Sequence, residues 1–195
     1  MEVKPVILEN RWVRLEPLAL EHAQGLWNIG QQAEDWLWMP RPCFQSLEDT
    51  RGWLEEAIAQ QQQGLQLGFA IVDKASGQIA GSSRYLNLRI RDRGLEIGWT
   101  WLGRSFQRSA INTATKLLML SHAFETLNAL RVELKTDARN TRSQTAIARL
   151  GATREGLFRR HMIVQDGFIR DSVYFSIIDL EWPDLKSRLQ QKLGE

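Results

Sequence analysis

The stretch Leu95-Glu-Ile-Gly-Trp-Thr-Trp-Leu-Gly-Arg-Ser-Phe-Gln-Arg-Ser-Ala-Ile-Asn-Thr carries the densest chemical signal in the chain. Leu95, Ile97, Trp99 and Trp101 alternate with Glu96, Gly98 and Thr100, which is the period of a strand. Ala110, Ala114, Leu117, Leu118 and Phe124 then recur at helical spacing. Between them lies a short polar turn flanked by Arg104 and Arg108. Such a connection points backbone N–H groups outward at the positive end of the helix dipole, where phosphate oxygens are natural guests. The two guanidinium groups could add charge-assisted contacts. The same residues also describe an ordinary strand–helix connection with exposed arginines, and the turn alone leaves the two readings level.

Other reactive side chains are less organised. Asn140 opens a helix that Gly151 ends, and Ser143 stands three residues in, so local capping explains this pair without a ligand. Glu96 lies on the strand face opposite Leu95, Ile97 and Trp99, either as a general base or paired with one of the many arginines. His22, His122 and His161 are spread along the chain without metal-ligand spacing and read as helix-surface or strand histidines, so no metal is expected. Cys43 is the one cysteine, which rules out an internal disulfide framework and a zinc site built on several thiolates. Beside prolines and Phe44 it reads as a small apolar side chain.

Charge is uneven along the chain. The net value is +2, yet residues 1–60 carry 10 acids against 5 bases, residues 84–108 carry 6 arginines against 2 acids, and residues 131–160 carry 8 bases against 3 acids. Arginine outnumbers lysine 19 to 6, and a guanidinium fork suits phosphate better than a point charge does. These values fit an anionic ligand held by the middle and later chain, or a solvated surface of uneven sign. Nucleic acid is not expected as a partner, because there is no basic tail or aromatic–basic repeat and acids break both basic stretches.

The elements that must position these groups follow from periodicity. Residues 10–17 read as a strand and residues 20–29 as a helix, and two prolines interrupt Asp35-Trp-Leu-Trp-Met-Pro-Arg-Pro. Ser46 with Asp49 resembles a capping box at the start of a helix carrying Trp53, Leu54, Ala57 and Ile58. Strands follow at Leu67 to Val72 and Gln78 to about Leu88, and a further one at Ala129 to Thr136. Asp166-Gly167 between two β-rich runs signals a hairpin, and Pro183 begins a last helix. This order predicts an α/β protein with a mixed sheet. At 195 residues, 43% hydrophobic and 25% charged, the chain suits one globular domain over residues 1–195. No apolar run approaches the ~20 residues of a membrane span, and Met-Glu-Val-Lys-Pro lacks the order of a signal peptide. A soluble, cytoplasmic protein without membrane contact is expected.

The sequence resembles the GNAT (Gcn5-related) N-acetyltransferases, particularly the RimJ/RimL branch that acetylates ribosomal-protein N-termini. The family's pyrophosphate loop follows the pattern Gln/Arg-x-x-Gly-x-Gly/Ala, and Gln107-Arg-Ser-Ala-Ile-Asn112 matches it at Gln107, with Ala110 in place of the first glycine and Asn112 in place of the small final residue. The likeness continues through Leu130-Arg-Val-Glu-Leu-Lys-Thr-Asp-Ala-Arg-Asn-Thr-Arg-Ser and Ala148-Arg-Leu-Gly-Ala-Thr-Arg-Glu-Gly. Phe158-Arg-Arg-His-Met, Asp166-Gly and Arg170-Asp-Ser-Val-Tyr-Phe-Ser-Ile then fit its final hairpin. Residues 7–181 can be laid on the family fold, with a C-terminal helix at about 183–193.

The resemblance implies a largely antiparallel sheet, flanked by helices on both faces and splayed between its fourth and fifth strands. It implies acetyl-CoA as co-substrate, its pantetheine arm in the gap beside backbone groups of Trp101 and Leu102. The N–H groups of Gln107, Arg108, Ser109, Ala110, Ile111, Asn112 and Thr113 would hold the pyrophosphate, and Asn140 and Ser143 would meet the arm from the other side. Direct transfer to a primary amine in a ternary complex follows, with Glu96 as base and Ser143 or, more weakly, Tyr174 as donor to the departing thiolate. The first helices would shape the acceptor site, where Trp36, Trp38 and Glu34 would receive a cationic amine. The acceptor is a small-molecule or protein amine, and a homodimer stays open. The rival reading is a non-catalytic CoA-binding or regulatory module, suggested by Ala110 and Asn112.

Overall fold

Alternating apolar residues bury one face of a strand, and here that pattern builds a sheet with helices against both sides. The structure, a computed structural model, describes residues 1–194. Its strands are β1 (Leu8–Glu9), β2 (Val13–Pro17), β3 (Leu67–Asp73), β4 (Ile79–Arg89), β5 (Gly94–Leu102), β6 (Arg131–Asp137), β7 (Thr153–Ile163) and β8 (Ile169–Ile178). Its helices are α1 (Ala23–Ile29), α2 (Ala33–Trp36), α3 (Leu47–Gln62), α4 (Ile111–Ser121), α5 (Thr141–Leu150) and α6 (Trp182–Leu193). Among the described residues the strands form one eight-stranded sheet in the order β1-β2-β3-β4-β5-β6-β8-β7. Every neighbouring pair is antiparallel except β5–β6.

Two apolar clusters show how the layers are divided. On one face Leu15, Phe69, Ile71, Leu95, Ile97, Val132 and Phe175 of the sheet pack with α4, α5 and α6. On the other, Ala70 and Trp101 pack with α1, α2 and α3 through Leu26, Trp36, Trp53 and Leu54. The N-terminal half of the sheet is therefore covered on both faces. The row formed by β6, β8 and β7 carries polar side chains on the face opposite α4, and β7 is an edge strand.

The simple alternation expected along β5 is broken. Trp99 has φ 50°, and the register against β4 jumps from Gly98↔Arg84 to Trp101↔Ser82. This β-bulge reverses the parity of the strand, so Leu95 and Ile97 face α4 while Trp101 faces α1–α3. The helix starts behave as read, with one change. Ser46 Oγ accepts from the Asp49 N–H at 3.0 Å, but the Asp49 carboxylate turns to the Gln45 N–H at 2.9 Å and to Arg41. The hairpin forms at Asp166 (φ 57°) and Gly167 (φ 72°).

Gly151 closes α5 with φ 97°, where a Cβ would also run into Leu185 Cδ1. Gly151→Ala is expected to destabilise the fold by about 1–3 kcal/mol. Gly52→Ala, in open space on α3, should stabilise it by roughly 0.4–1 kcal/mol. Thermal unfolding of the two variants checks the pair of signs.

Candidate functional site

β5 and β6 pair only over Gly94–Glu96 with Arg131–Glu133 and then part, leaving a wedge open at their C-terminal ends. The connection to α4 runs from Leu102 through a single helical turn at Arg104–Phe106 to Ala110, and α5 starts just beyond β6. Both helices thus present N-termini to the mouth of the wedge. Among the described residues, the amides of Arg108, Ser109, Ala110, Asn112 and Thr113 find no acceptor within the chain. The expected set is narrower at two places. The Gln107 N–H donates to Arg104 O at 3.2 Å, and the Ile111 N–H donates to Ser109 Oγ at 3.3 Å. These two amides are consumed in bracing the turn.

Ala110 has φ −66° and ψ −19°, an ordinary right-handed conformation that needs no glycine. The left-handed residue is Arg108, at φ 58°. Ser109 Oγ also donates to Phe106 O at 2.6 Å, closing the loop on itself. A cavity of about 390 Å³ lies against this loop, lined by Glu34, Asp35, Arg104, Gln107, Arg108 and Arg142. Arg142 Nη2 donates to Gln107 Oε1 at 3.0 Å, joining the first turn of α5 to the loop. Asn140 caps α5, its Oδ1 accepting from the Ser143 N–H at 3.0 Å. The Ser143 hydroxyl and Asn140 Nδ2 have no partner among the described residues, so capping leaves both available. Leu102 O is engaged by Gln107 Nε2 at 2.9 Å, so Leu102 offers the wedge less than expected, and the Trp101 backbone lies on the strand that borders it.

Two of the expected acceptor residues belong elsewhere. Trp36 is 1% exposed, with its ring centroid 4.8 Å from those of both Phe44 and Trp101. It is core, because the α2 turn rotates it inward under α1 and α3. Glu34 is exposed but pairs with Arg104 at 2.9 Å, and Asp35 accepts from Gln107 Nε2 at 3.0 Å. These acids therefore tie α2 to the loop at the cavity, away from the polar sheet face. Trp38 remains half-buried and covers Arg139, whose guanidinium carbon also lies 3.7 Å from the Phe168 ring centroid. Gln165, at the tip of the β7–β8 hairpin, donates to the carbonyls of Trp36 and Met39, both at 2.8 Å. The hairpin tip and the α2 segment so form a roof beside the wedge.

On the polar face Glu96 is buried and accepts from Lys135 Nζ at 2.8 Å and from Asn87 Nδ2 at 2.7 Å. Its partner is a lysine rather than an arginine. Tyr174 stands beside Lys135 in the register and shares a hydrogen bond of 3.2 Å with His161 Nε2, while His161 Nδ1 reaches Ser172 Oγ at 3.0 Å. Burial, with Lys135 and Arg170 nearby, holds the imidazole below its ordinary range. Burial first, then Glu96, pushes the Tyr174 phenol up. A neutral imidazole and a neutral phenol can accept and donate protons beside the Glu96 carboxylate. The lack of metal-ligand spacing gives His161 no role in the sequence, and the bulge of β7 between Phe158 and Met162 hides which face it occupies.

Part of each basic stretch is neutralised in place. Arg89 pairs with Glu133, Arg131 with Glu133 and Glu155, Lys135 with Glu96 and Arg139 with Asp137. Arg131 holds the Glu155 carboxyl down to about 2. A second residue missed by periodicity is Lys116, which lies outside the apolar stripe read along α4. It is 4% exposed, and burial alone draws it from 10.5 to about 7. Among the described residues no group of three or more potential metal ligands forms, and no helix is long and apolar enough to cross a membrane.

Comparison with known proteins gives this geometry a family context. Residues 13–153 match the family model described as an acetyltransferase (GNAT) domain. The Bacillus subtilis (strain 168) protein named "Putative ribosomal N-acetyltransferase YdaF" is 32% identical over 106 residues, 54% of this chain and 57% of that protein. The match thus spans little more than half the length of this curated relative. The crystal structure of a GCN5-related N-acetyltransferase from Brucella melitensis superposes with a TM-score of 0.92 at 30% identity, covering 98% of this chain and 86% of that one. Mycobacterium smegmatis RimJ in complex with CoA-disulfide shares the fold, with a TM-score of 0.83 at 24% identity over 97% of this chain and 95% of that one.

The lowered pKa of Lys116 has a thermodynamic sign. From about 7 to 10.5 the unfolded chain holds a proton that the folded chain releases, so stability contributed by this site rises with pH across that window. Lys116→Met is expected to raise the melting temperature, more at pH 6.5 than at pH 9. Calorimetric scans of both proteins at the two pH values check this, and equal gains at both would contradict the assignment.

Proposed function

The chain belongs to the GNAT acetyltransferase family, and from that premise we propose that it transfers the acetyl group of acetyl-CoA to a primary amine by direct attack in a ternary complex. The observation that carries this reading is the set of unpartnered amides of Arg108, Ser109, Ala110, Asn112 and Thr113, at the end of the wedge between β5 and β6. Backbone N–H groups without an acceptor at a helix start fit a diphosphate. Arg104, Arg108 and Arg142 line the adjoining cavity and supply charge. An extended amide-bearing arm could continue from there along the edge of β5, with Asn140 and the Ser143 hydroxyl facing it from α5. Because Ala110 adopts a right-handed conformation, its departure from glycine gives no conformational reason to prefer the non-catalytic alternative.

The remaining parts serve proton transfer. A protein N-terminus has a pKa near ~8 and an alkylammonium near ~10, so either must lose a proton to attack. Glu96, paired with Lys135 at 2.8 Å, would receive the ammonium and draw off its proton through a water. Tyr174 and His161 extend the same surface and could pass that proton on. Ser143 would donate a proton to the departing thiolate. Holding both substrates in one wedge supplies much of the acceleration. The name of the YdaF relative supports a ribosomal-protein N-terminus as the acceptor to test first.

The deciding experiment is mass spectrometry of acetyl-CoA incubated with a panel of ribosomal-protein N-terminal peptides, polyamines and amino acids; mass gain on none of them would leave only the binding-module reading. Ser109→Asp or Ala110→Asp should weaken CoA binding by more than about tenfold, or ~1.4 kcal/mol, by calorimetry. Unchanged affinity would show that the loop does not hold the diphosphate. Glu96→Gln should lower turnover more than it raises the Michaelis constant, and wild-type turnover would remove Glu96 from the mechanism.

A further inference from the structure

Two cations meet the β5 bulge from opposite faces, and among the described residues neither has a carboxylate bonded to it. On the α3 face the Arg84 guanidinium carbon lies 4.4 Å from the Trp53 ring centroid and 4.9 Å from that of Trp99, the residue with φ 50°. On the α4 face Lys116 Nζ donates to Thr100 Oγ1 at 2.6 Å and to Ser83 Oγ at 3.3 Å, and the two hydroxyls are 2.8 Å apart. Lys116 forms no ion pair among the described residues, and desolvation is the one influence resolved on its titration. Methionine would fill the same space without that penalty. A cost of this kind persists where it serves function.

The place is informative. Trp99 and Thr100 together oppose Ser83, because the register skips between Gly98↔Arg84 and Trp101↔Ser82. Beyond Glu96 the β6 side of β5 has no partner strand, so its backbone borders the wedge. Lys116 therefore grips the strand where its backbone kinks beside the open gap.

We propose that Lys116 is a positioning residue for the thioester: through the Thr100 hydroxyl it fixes the bulge and directs positive potential onto the carbonyl oxygen of an acetyl-CoA lying along β5. The inference rests on the reading that the carrier occupies the wedge. Lys116 does not touch the substrate. Its field withdraws electron density toward the carbonyl oxygen and favours the charge that grows there as the amine adds to the carbon. In a buried setting a cation acts over a greater range than it does in water. Burial draws Lys116 to about 7 in the free protein, so negative charge gathering nearby favours its protonated form.

Isotope-edited infrared spectroscopy of acetyl-CoA labelled at the thioester carbonyl tests this without an acceptor amine. Bound to the wild-type protein, the carbonyl band is expected at lower frequency than in water. Lys116→Met and Thr100→Val should each lose at least half of that shift while CoA affinity by calorimetry stays within about threefold, under 1 kcal/mol. Lys116→Gln, which can still donate to Thr100, should lose the shift too and stands in if the methionine variant misfolds. An equal shift in the wild type and the Lys116 variants, or binding to the wild type with no shift, overturns the proposal. Failure of the wild-type protein to bind acetyl-CoA overturns the carrier reading itself and is seen separately in the calorimeter.

Discussion

The parting of β5 from β6 is the constraint on which the rest of the molecule depends. Backbone N–H and C=O groups inside a sheet are ordinarily paired, so a wedge between adjacent strands is costly unless something holds it open and something can fill it. Here each strand is anchored on its far side, β5 along β4 and β6 along all seven of its residues to β8. The pair itself is joined at three positions only. The two helices that follow these strands then begin at the open end, which brings unpaired amides of α4 and the capped start of α5 together.

Electrostatics divides the molecule along the same line. Across the middle of the sheet Arg89, Arg131, Lys135 and Arg139 meet the carboxylates of Glu133, Glu155, Glu96 and Asp137. The acids of the N-terminal segment act at longer sequence range, Glu34 and Asp35 binding Arg104 and Gln107 of the loop. A chain with net charge +2 thus gathers Arg104, Arg108 and Arg142 around one cavity, where Glu34 and Asp35 offset Arg104 in part. The roof built by Gln165 and the α2 carbonyls, with Trp38 and Phe168 on either side of Arg139, narrows the approach to the polar sheet face.

The bulge at Trp99 shows why a strand can be recognised without its facing being known. A positive φ at a tryptophan is strained by about 1–2 kcal/mol, and no residue type at positions 98–101 announces it. It is held by groups remote in sequence, Arg84 against the ring and Lys116 against the next residue. The facing of His161 is obscured by the same kind of irregularity in β7, and Lys116, outside the apolar stripe read along α4, is seen to be buried only once the helix packs on the sheet. Trp36 was misplaced because an aromatic beside two acids suggests a cation site, whereas a short turn directs the ring into the core and the acids toward Arg104.

By itself the sequence determined the order of strands and helices apart from β1 and α2, the cap at Asn140, the left-handed stop at Gly151, the hairpin at Asp166-Gly167 and the polar turn that leads into α4. All of these are written in local period and in residue types with one conformational use. Tertiary structure alone decided which face each β5 side chain takes, that Glu96 meets Lys135, that His161 joins Tyr174, and that Lys116 lies beneath Thr100. Those outcomes depend on register across strands and on pairing between residues tens of positions apart, where small energetic preferences are settled by packing rather than by neighbours along the chain.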